Sequence, residues 1–543
     1  MRRCEGTGGP GEMDSAANVK LGFLGRWKSF RCAWPCWDPP ALIHTLLAIA
    51  LYVPLHHFLF SWAPLEKDSY FAPILAWQAL KSKPLIIVPL LVLAALAYRV
   101  RWDIFSQHSR QLRVLAFAAA LILAWNFAFY PYNLYLDQPH YLDRLLLLGF
   151  SLLVLLSPAF IPIFVFWTIV MGSQFAVPLV GYSWTDKIVV VRVLIVFAAF
   201  FLLRIAGLRR SHFLFPVTLS LIASHYFIPG VAKLKLGWLF ENKVQHLLMS
   251  GYSNGWLHCL GEDRLVALAK FLEEGGLLLA AATLLIEVGA IAILFGKRLS
   301  VLLLSSFVVL HLAIFAASGI FFWKWILLDL TCLVLLLRLD NHSLGIIYSR
   351  QSIFLSLALI LFSGFIFHPP RLAWYDTRLN DLFEWDAVGV SGTVYLVDES
   401  QMAPFDLIFA QGRFWYLTRD KMLVGTYGST ASLALATALG QIQSASEIEL
   451  LESDLGAVRF NERRKADFEA FTRIFFRNMN AGKGKKAFWP SAPRHIWTWR
   501  CNDALYQGQE PITEVRGRHV RTFWDGKGVR RLSNKVILTV AVR

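Results

Sequence analysis

An apolar run followed by a polar segment occupies residues 212–238, with the sequence HFLFPVTLSLIASHYFIPGVAKLKLGW. Positions 212–229 contain no Asp, Glu, Lys or Arg, and about 18 such residues are enough for a transmembrane helix. Lys233, Lys235 and Trp238 follow at the membrane boundary. These side chains could simply reach the lipid headgroups and the interfacial aromatic belt. The alternative is that the boundary is a functional site.

The composition is that of a polytopic membrane protein. Of the 543 residues, 56% are hydrophobic and 17% are charged, which is too apolar for a soluble protein of this length. Basic residues that hold loops on the inner side and contact anionic lipid explain the net charge of +16. The lipid bilayer is therefore the expected partner, and nucleic acid is not expected.

The cysteines do not indicate a metal site. The six cysteines form no pair of Cys-x-x-Cys motifs and no Cys/His cluster with zinc spacing, so no metal is predicted. Cys32 and Cys36 are expected to stay reduced on the inner side. No apolar core begins before about residue 41, so the first span is expected to act as an uncleaved anchor.

The chain divides into three predicted regions. Residues 1–40 are Gly-rich and basic, and we expect a disordered tail on the inner side. Residues 41–369 are predicted to form a transmembrane helical domain. Residues 370–543 are predicted to form a soluble domain on the outer face. The fold class is therefore a polytopic α-helical membrane protein followed by a soluble α+β domain.

Nine crossings and one irregular element are predicted within the helical domain. The distribution of arginines places the N-terminus in the cytoplasm and the C-terminal domain in the periplasm, a lumen or the extracellular space. The run at 145–180, broken by Pro158 and Pro162, is expected to be a re-entrant hairpin or a pair of short spans rather than one kinked span. Residues 239–272 are expected to form short helices on the outer surface. The spans are expected at about 41–62, 84–98, 114–130, 188–207, 212–229, 274–295, 299–318, 320–337 and 353–368.

The C-terminal region shows strand and helix patterns in alternation. Strands are predicted at 392–397 and 535–540, and helices from 429–430 and around 465–479. The second helix would have one apolar face formed by Phe468, Phe471, Ile474 and Phe475. The last 85 residues are basic and carry four tryptophans, so we expect this domain to rest on anionic lipid and on its own membrane half.

Four ionisable residues lie inside predicted spans, where each is costly and needs a partner. Glu287 and Asp329 are expected nearer the midplane, and His311 and Lys324 toward the outer half. Glu287 is expected near Asp329 or His311, and both Glu287 and His311 should face the bundle interior. Such groups either hold the helices together by hydrogen bonds or take part in function.

Lys233 has the chemistry of a candidate base. Partial desolvation at the boundary and a neighbouring cation, Lys235, favour the neutral amine, which could accept a proton from a lipid-soluble substrate. The sequence contains no Gly-x-Ser-x-Gly, no phosphate-binding glycine loop and no His-Glu-x-x-His motif. Any catalysis is therefore expected to use the boundary and intramembrane residues.

Two motifs resemble the vitamin K-dependent gamma-glutamyl carboxylase superfamily, also called the horizontally transferred transmembrane domain. The run Gly230-Val231-Ala232-Lys233-Leu234, with Trp238 and Gly251-Tyr252, resembles the family's Gly-Leu-Lys-Lys-Leu…Trp segment. The run HLAIFAASGIFF from His311 is similar to the family's histidine span, and Gly296-Lys297-Arg298 fits its basic inner turn. The resemblance covers about residues 180–340 by motif and 41–180 by hydropathy.

The resemblance implies a function and a cofactor. In the carboxylases the second lysine deprotonates reduced vitamin K, oxygenation of this quinol yields a strong base that takes a glutamyl proton, and carbon dioxide traps the carbanion. By position Lys233 would deprotonate reduced vitamin K or another quinol, and a peptide or protein substrate would bind at the outer face. The family's first lysine is Ala232 here, and Lys235 stands where the family has an acid. The candidate catalytic residues are Lys233 and His311, and the candidate substrate-binding residues are Trp238, Lys324, Glu287 and Asp329.

Two other classes of function remain open. A non-catalytic membrane partner or peptide-maturation factor would tolerate Lys233→Ala. A transporter would explain a discontinuous helix at 145–180, although the hydropathy shows no inverted repeat. Formation of a quinone epoxide by the purified protein would favour the enzyme.

Overall fold

The computed structural model describes most of the chain from residue 38 onward. The described residues are 38–61, 74, 76–77, 80–81, 92, 95, 99–105, 109–130, 132–135, 141–173, 184–208, 210–402, 405, 414–442, 444–483, 491–501 and 503–542. The predicted tail, apart from its last three residues, and most of the predicted span at 84–98 lie outside these ranges.

Helices make up the described part of the chain before the C-terminal domain. The longer ones are α1 (Pro39–Ser61), α2 (Ser109–Ala128), α3 (Tyr141–Leu156), α4 (Phe160–Ser173), α5 (Ile188–Ile205), α6 (Leu214–Lys235), α7 (Val244–Ser253), α8 (Glu262–Glu274), α9 (Gly276–Gly289), α10 (Lys297–Ser318), α11 (Trp323–Leu337), α12 (Asn341–Ile347) and α13 (Arg350–Leu361).

Five of these helices, α1, α2, α5, α6 and α10, are long and apolar enough to cross a membrane. Two bent pairs pass the same test jointly: α8 with the helix that follows it, at 65°, and α12 with α13, at 47°. The described residues thus contain five to seven candidate spans, which supports a membrane protein. The prediction of nine crossings stays a prediction.

Helix α6 lies at the centre of the bundle because it is apolar on all sides. Nearly all its side chains from Leu214 to Gly230 are buried, as expected of a helix without a polar face. It packs against α5, α9 and α13. Pro229 lies inside the helix, and the helix nevertheless continues to Lys235. The centre of the fold therefore ends in the two lysines of the boundary motif.

Helices α3 and α4 fold back on each other at the break around Pro158. The indole Nε1 of Trp167 donates to the carbonyl oxygen of Asp143 at 3.0 Å, and the rings of Phe150 and Trp167 lie 6.2 Å apart. The region is therefore two short helices rather than one kinked helix in its described part. Residues 174–183, which would complete the predicted hairpin, are outside the described residues.

The C-terminal domain combines a sheet with three helices. The strands β2 (Leu379–Gly389), β3 (Val394–Leu396), β5 (Ile512–Trp524) and β6 (Val529–Ala541) form an antiparallel sheet in the order β3-β2-β5-β6. The helices are α14 (Leu433–Gln441), α15 (Ala445–Leu455) and α16 (Glu462–Asn480), and β1 (Tyr375–Asp376) pairs with β4 (Ser429–Thr430). Phe468 of α16 packs on Trp385 of β2 with ring centroids 4.9 Å apart.

Several boundaries in this domain differ from those expected. The predicted helix start at 429–430 is wrong, because these residues form β4 and the helix begins at Leu433. Ser432 is its cap, since its side chain accepts from the backbone N–H of Leu435. The predicted strands at 392–397 and 535–540 correspond to β3 and to part of β6. Strands β2 and β5 were not predicted.

Residues 494–501, which we call the strap, cross from the C-terminal domain onto the helical half. The backbone N–H of Phe321 donates to the His495 carbonyl at 2.7 Å, and that of Trp497 donates to the Gly319 carbonyl at 2.9 Å. Gly319 has φ of 77°, and an added Cβ would lie 2.6 Å from the Trp497 carbonyl oxygen. A larger residue is therefore excluded where the strap crosses the turn between α10 and α11.

A disulfide joins the end of the strap to the surface segment after α7. It links Cys259 and Cys501, whose Cα atoms are 5.3 Å apart. Within the described residues Cys332 is a free and buried cysteine. The two halves of the chain are thus joined covalently on the side where α6 ends.

Candidate functional site

One face of α6 carries three residues that meet other helices. Tyr226, Gly230 and Lys233 follow at i, i+4 and i+7, so they lie on the same face. An added Cβ on Gly230 would lie 2.8 Å from Cβ of Glu287 and 3.0 Å from the backbone N of Val288. Glycine at this position therefore lets α9 approach closely and brings Glu287 beside the lysine.

Lys233 and Glu287 form a largely buried ion pair. Nζ of Lys233 lies 2.5 Å from Oε1 of Glu287, and the side chains are 14% and 8% exposed. The ammonium group also lies 5.2 Å from the ring centroid of Trp238, within cation–π distance. Lys235 is exposed, as expected for a residue two positions along a helix. The structure thus separates the two lysines of the motif.

The second oxygen of Glu287 has no hydrogen-bond partner within the described part of the chain. Oε2 is buried, while Oε1 bonds to Lys233. Buried polar atoms are nearly always hydrogen-bonded, so each exception needs an explanation such as a ligand. Glu287 therefore offers a free acceptor atom beside an ammonium group.

Tyr226 connects two further polar side chains of the site, Asp329 and His311. Its hydroxyl donates to Oδ2 of Asp329 at 2.6 Å and lies 2.8 Å from Nε2 of His311. Its ring stacks on Phe307 at 3.7 Å. Tyr226 therefore joins Asp329 and His311 through one hydroxyl group.

The second ring nitrogen of His311 lies outside this network. Nδ1 is buried and has no hydrogen-bond partner among the described residues. Phe322 and Trp325 lie around the imidazole, with centroids 4.9 and 5.5 Å from its own. His311 also lies within electrostatic range of Lys233. The site therefore has two buried polar atoms without partners among the described residues, Nδ1 of His311 and Oε2 of Glu287.

Lys324 belongs to a different group. Its Nζ lies 2.7 Å from Oδ2 of Asp186, whose Oδ1 contacts Nζ of Lys187 at 2.6 Å. Burial by itself would raise the pKa of Asp186, but the two ammonium groups hold it well below its usual range. Lys324 also lies 4.5 Å from the ring centroid of Trp323. Its described contacts are thus with Asp186 and Trp323 rather than with Lys233.

The strap contributes a histidine that sequence reasoning missed. His495 is buried, and its ring lies 5.0 Å from that of Phe322, which also contacts His311. His495 is within electrostatic range of both His311 and Asp186. Its position in a basic segment of the C-terminal region carries no signal of a role beside His311.

Asp376 approaches Lys233 from the C-terminal domain and was also missed. Burial raises its pKa to about 6, against which hydrogen bonds from Asn242 and Trp374 and the charge of Lys233 act. Oδ2 of Asp376 accepts from Nδ2 of Asn242 at 3.1 Å, and Oδ1 accepts from Nε1 of Trp374 at 3.2 Å. Asp376 lies in the short strand β1, just after the predicted domain boundary. This position was the only feature of the sequence that could have pointed to Asp376.

The six candidate residues fall into three groups. Lys233, Glu287 and Trp238 form the first, His311 and Asp329 join Tyr226 in the second, and Lys324 joins Asp186 in the third. Glu287 and His311 are buried, as expected. Glu287 was expected near Asp329 or His311, and its ion-pair partner among the described residues is Lys233, because close packing at Gly230 brings the two side chains together.

The described residues contain no group of three or more His, Cys, Asp or Glu side chains that could hold a metal ion. Comparison with protein-family models, curated proteins and solved structures finds no match for this chain. A functional proposal therefore rests on the chemistry of the three groups and on the motif resemblance.

Proposed function

We propose that this chain is an integral membrane enzyme that deprotonates and oxygenates a lipid-soluble quinol, in the manner of the vitamin K-dependent carboxylases that its motifs resemble. The observation that carries the proposal is the largely buried pair of Lys233 and Glu287, 2.5 Å apart, with one carboxylate oxygen left without a partner in the described residues. Ionisable groups inside a membrane domain are costly, so they mark functional sites by default.

The pair supplies both parts of a proton abstraction. Oε2 of Glu287 can accept the hydroxyl proton of a quinol, while the ammonium of Lys233 compensates the negative charge left on the substrate oxygen. Lys233 itself becomes the base when its proton passes to Glu287 across the 2.5 Å contact. In either case the lysine is required, because without it no positive charge faces the developing anion.

Aromatic side chains beside these groups support a quinol such as reduced vitamin K as the substrate. Trp238, Phe307 and Trp325 provide aromatic surface, and Nε1 of Trp325 is a further buried polar atom without a described partner. The two polar atoms without described partners, on Glu287 and His311, would bond to the two ring hydroxyl groups. Quinol and dioxygen would yield quinone epoxide and water, and the base formed on the way would allow carbon dioxide to replace a proton on a peptide or small substrate.

The proposed topology has nine crossings, a re-entrant hairpin at 145–180, a cytoplasmic N-terminus and an outer C-terminal domain. The disulfide between Cys259 and Cys501 supports the orientation, because disulfides persist in oxidising compartments outside the cytosol. Lys233 would then lie at the outer membrane boundary, where a lipid-soluble quinol and a secreted peptide can both reach it.

The test is an epoxidation assay with the purified protein, reduced vitamin K and air. Quinone epoxide is expected from the natural protein and from Lys235→Met, whose side chain is exposed, but not from Lys233→Met. Thermal unfolding of each variant shows whether a loss of turnover reflects misfolding. Epoxide formation that survives in a folded Lys233→Met variant would contradict the role of the lysine, and His311 would become the candidate base.

A second candidate, transport, is favoured by the bent helix pairs. The 65° bend next to Gly275 interrupts the element that carries Glu287, and broken helices are typical of transporter binding sites. Uptake of a charged solute into vesicles, with no epoxide from any quinol, would favour this function. A chain that shows neither activity and tolerates Lys233→Ala would be a non-catalytic partner.

A further inference from the structure

Arg192 is a cation buried in a candidate membrane span. It lies one turn into α5, and its side chain is only 6% exposed. Its Nε donates to Nε2 of His56 at 3.3 Å, and its NH1 lies 2.8 Å from Nε2 of His225. The guanidinium thus lies between α1 and α6, at the His225 position of α6.

Neither imidazole compensates the charge of Arg192. Nδ1 of His225 lies 2.8 Å from the carbonyl oxygen of Leu221, which can only accept, so Nδ1 carries the ring proton and Nε2 accepts from Arg192. His56 likewise presents Nε2 as an acceptor. Both rings are therefore neutral acceptors, and the positive charge of the arginine remains.

The side chains of Arg192, Tyr52, His56 and His225 together hold more hydrogen-bond donors than acceptors. A guanidinium has five N–H groups, and two of those of Arg192 are used by the histidines. The hydroxyl of Tyr52, a residue 1% exposed, has no described hydrogen-bond partner. The Tyr52 ring lies 5.7 Å from the ring of His56, which Arg192 contacts. No Asp or Glu of the described residues forms an ion pair with this arginine.

We infer that Arg192 and Tyr52 form a binding site for a small monovalent anion, either a halide or a carboxylate. The three remaining N–H groups of Arg192 and the Tyr52 hydroxyl are all hydrogen-bond donors. The ligand that fits them therefore has acceptor atoms only. One negative charge balances one guanidinium, which remains protonated even when buried. An unpaired charge inside the membrane is unfavourable, and an anion removes that cost.

This site is separate from the Lys233 site and does not depend on the proposed enzymatic activity. His225 lies between Arg192 and Trp325, with ring centroids 5.8 Å apart for the histidine and the tryptophan. Trp325 in turn contacts Tyr226 at 5.6 Å. The anion is therefore two side chains away from the hydroxyl that holds His311.

The experiment measures thermal unfolding of the full-length protein in detergent. Sodium gluconate, whose anion is too large for a buried cluster, is replaced stepwise by chloride, formate or sulfate at constant ionic strength. Chloride or formate should raise the midpoint of unfolding along a saturable curve, and divalent sulfate should not. The response should disappear in Arg192→Met, and the apparent Kd should rise at least tenfold in Tyr52→Phe.

Arg204→Met is the matched control. Arg204 lies at the other end of the same helix and donates to the carbonyl of Ile104, so its variant should keep the natural response. A natural protein that is indifferent to both small anions, or an Arg192→Met variant with an unchanged Kd, would overturn the proposal. If Arg192→Met does not fold, Tyr52→Phe decides, and an unchanged Kd in that variant counts against the site.

Discussion

Nζ of Lys233 lies 2.5 Å from Oε1 of Glu287, although the two residues are 54 positions apart in the chain. Each is therefore the main electrostatic neighbour of the other, and neither can be removed alone without leaving a charge in an apolar bundle. Removal of one partner from a fully buried pair costs about 3–5 kcal/mol. The cost here should be smaller because Lys233 keeps some exposure.

This pairing predicts a compensating double variant. Lys233→Met and Glu287→Gln should each lower the midpoint of thermal unfolding, and the two together should recover part of the loss because no unpaired charge remains. Quinol turnover should be lost in all three. Additive destabilisation in the double variant would show that the pair is not coupled in the folded protein.

The close approach at Gly230 is a second test of the site. Gly230→Ala adds a Cβ that would lie 2.8 Å from Cβ of Glu287, so α6 and α9 must separate. We expect lower stability and at least a tenfold loss of quinol turnover. Gly289→Ala is the control on α9, since its added Cβ would make an ordinary contact of 3.8 Å with Leu303. Equal activity of the two alanine variants would argue against the importance of this contact.

The hydroxyl of Tyr226 should be needed to orient His311. Tyr226→Phe keeps the stacked ring but leaves Nε2 of His311 and Oδ2 of Asp329 without their partner. Unsatisfied buried groups cost about 1–3 kcal/mol each, so the unfolding midpoint should fall clearly. Tyr348→Phe, which removes a hydrogen bond to Ser300, is the control for loss of a hydroxyl alone. Only the Tyr226 variant should lose quinol turnover.

Because of Asp376, the free energy of unfolding should fall as the pH rises from about 4 to about 6. Its folded pKa of about 6 is above the unfolded value of 3.8, so the folded state binds the extra proton. The stabilisation is fully present below about pH 4 and is lost as pH rises to about 6, with a total near 3 kcal/mol from about 1.4 kcal/mol per pKa unit. Asp376→Asn should not show this loss.

His246 acts in the opposite direction over the same interval. Burial lowers the pKa of His246 to about 4, so the contribution of His246 to stability grows as pH rises. The imidazole also hydrogen-bonds to the backbone carbonyl of Asp376. The measurement is therefore the difference in unfolding midpoint between the natural protein and Asp376→Asn at pH 4 to 7. The natural protein should lose stability relative to the variant across that range. A difference that does not change with pH would contradict the raised pKa.

The disulfide gives a direct test of the orientation. Cys259 and Cys501 should be oxidised in protein isolated from its natural membrane, because an outer C-terminal domain meets oxidising conditions. Their joint replacement by serine should lower stability by about 2–5 kcal/mol, since the bond closes a long loop in the unfolded chain. Two free thiols, labelled without reduction, would place this domain in the cytoplasm.

Hydropathy and helical spacing were sufficient to predict the framework of the membrane half. The apolar runs correspond to helices α1, α2, α5, α6 and α10 within six residues at each end, because a span of this length must satisfy its backbone internally. The two-residue spacing of Lys233 and Lys235 also predicted that only one would face the bundle. These features are local, so neighbouring residues alone determine them.

The partners of the site depended on tertiary packing. Glu287 contacts Lys233 because Gly230 allows two helices to approach, and such a contact between residues 54 positions apart leaves no local pattern. Strands β2 and β5 escaped prediction because their buried positions include charged residues paired across the sheet, as Arg518 is with Asp386 and Arg521 with Asp381. Alternation of apolar residues cannot reveal a strand whose burial depends on ion pairs. The sequence by itself determined where the long apolar helices form and that Lys233 and Lys235 point in different directions, and the packing of distant segments decided what Lys233 meets.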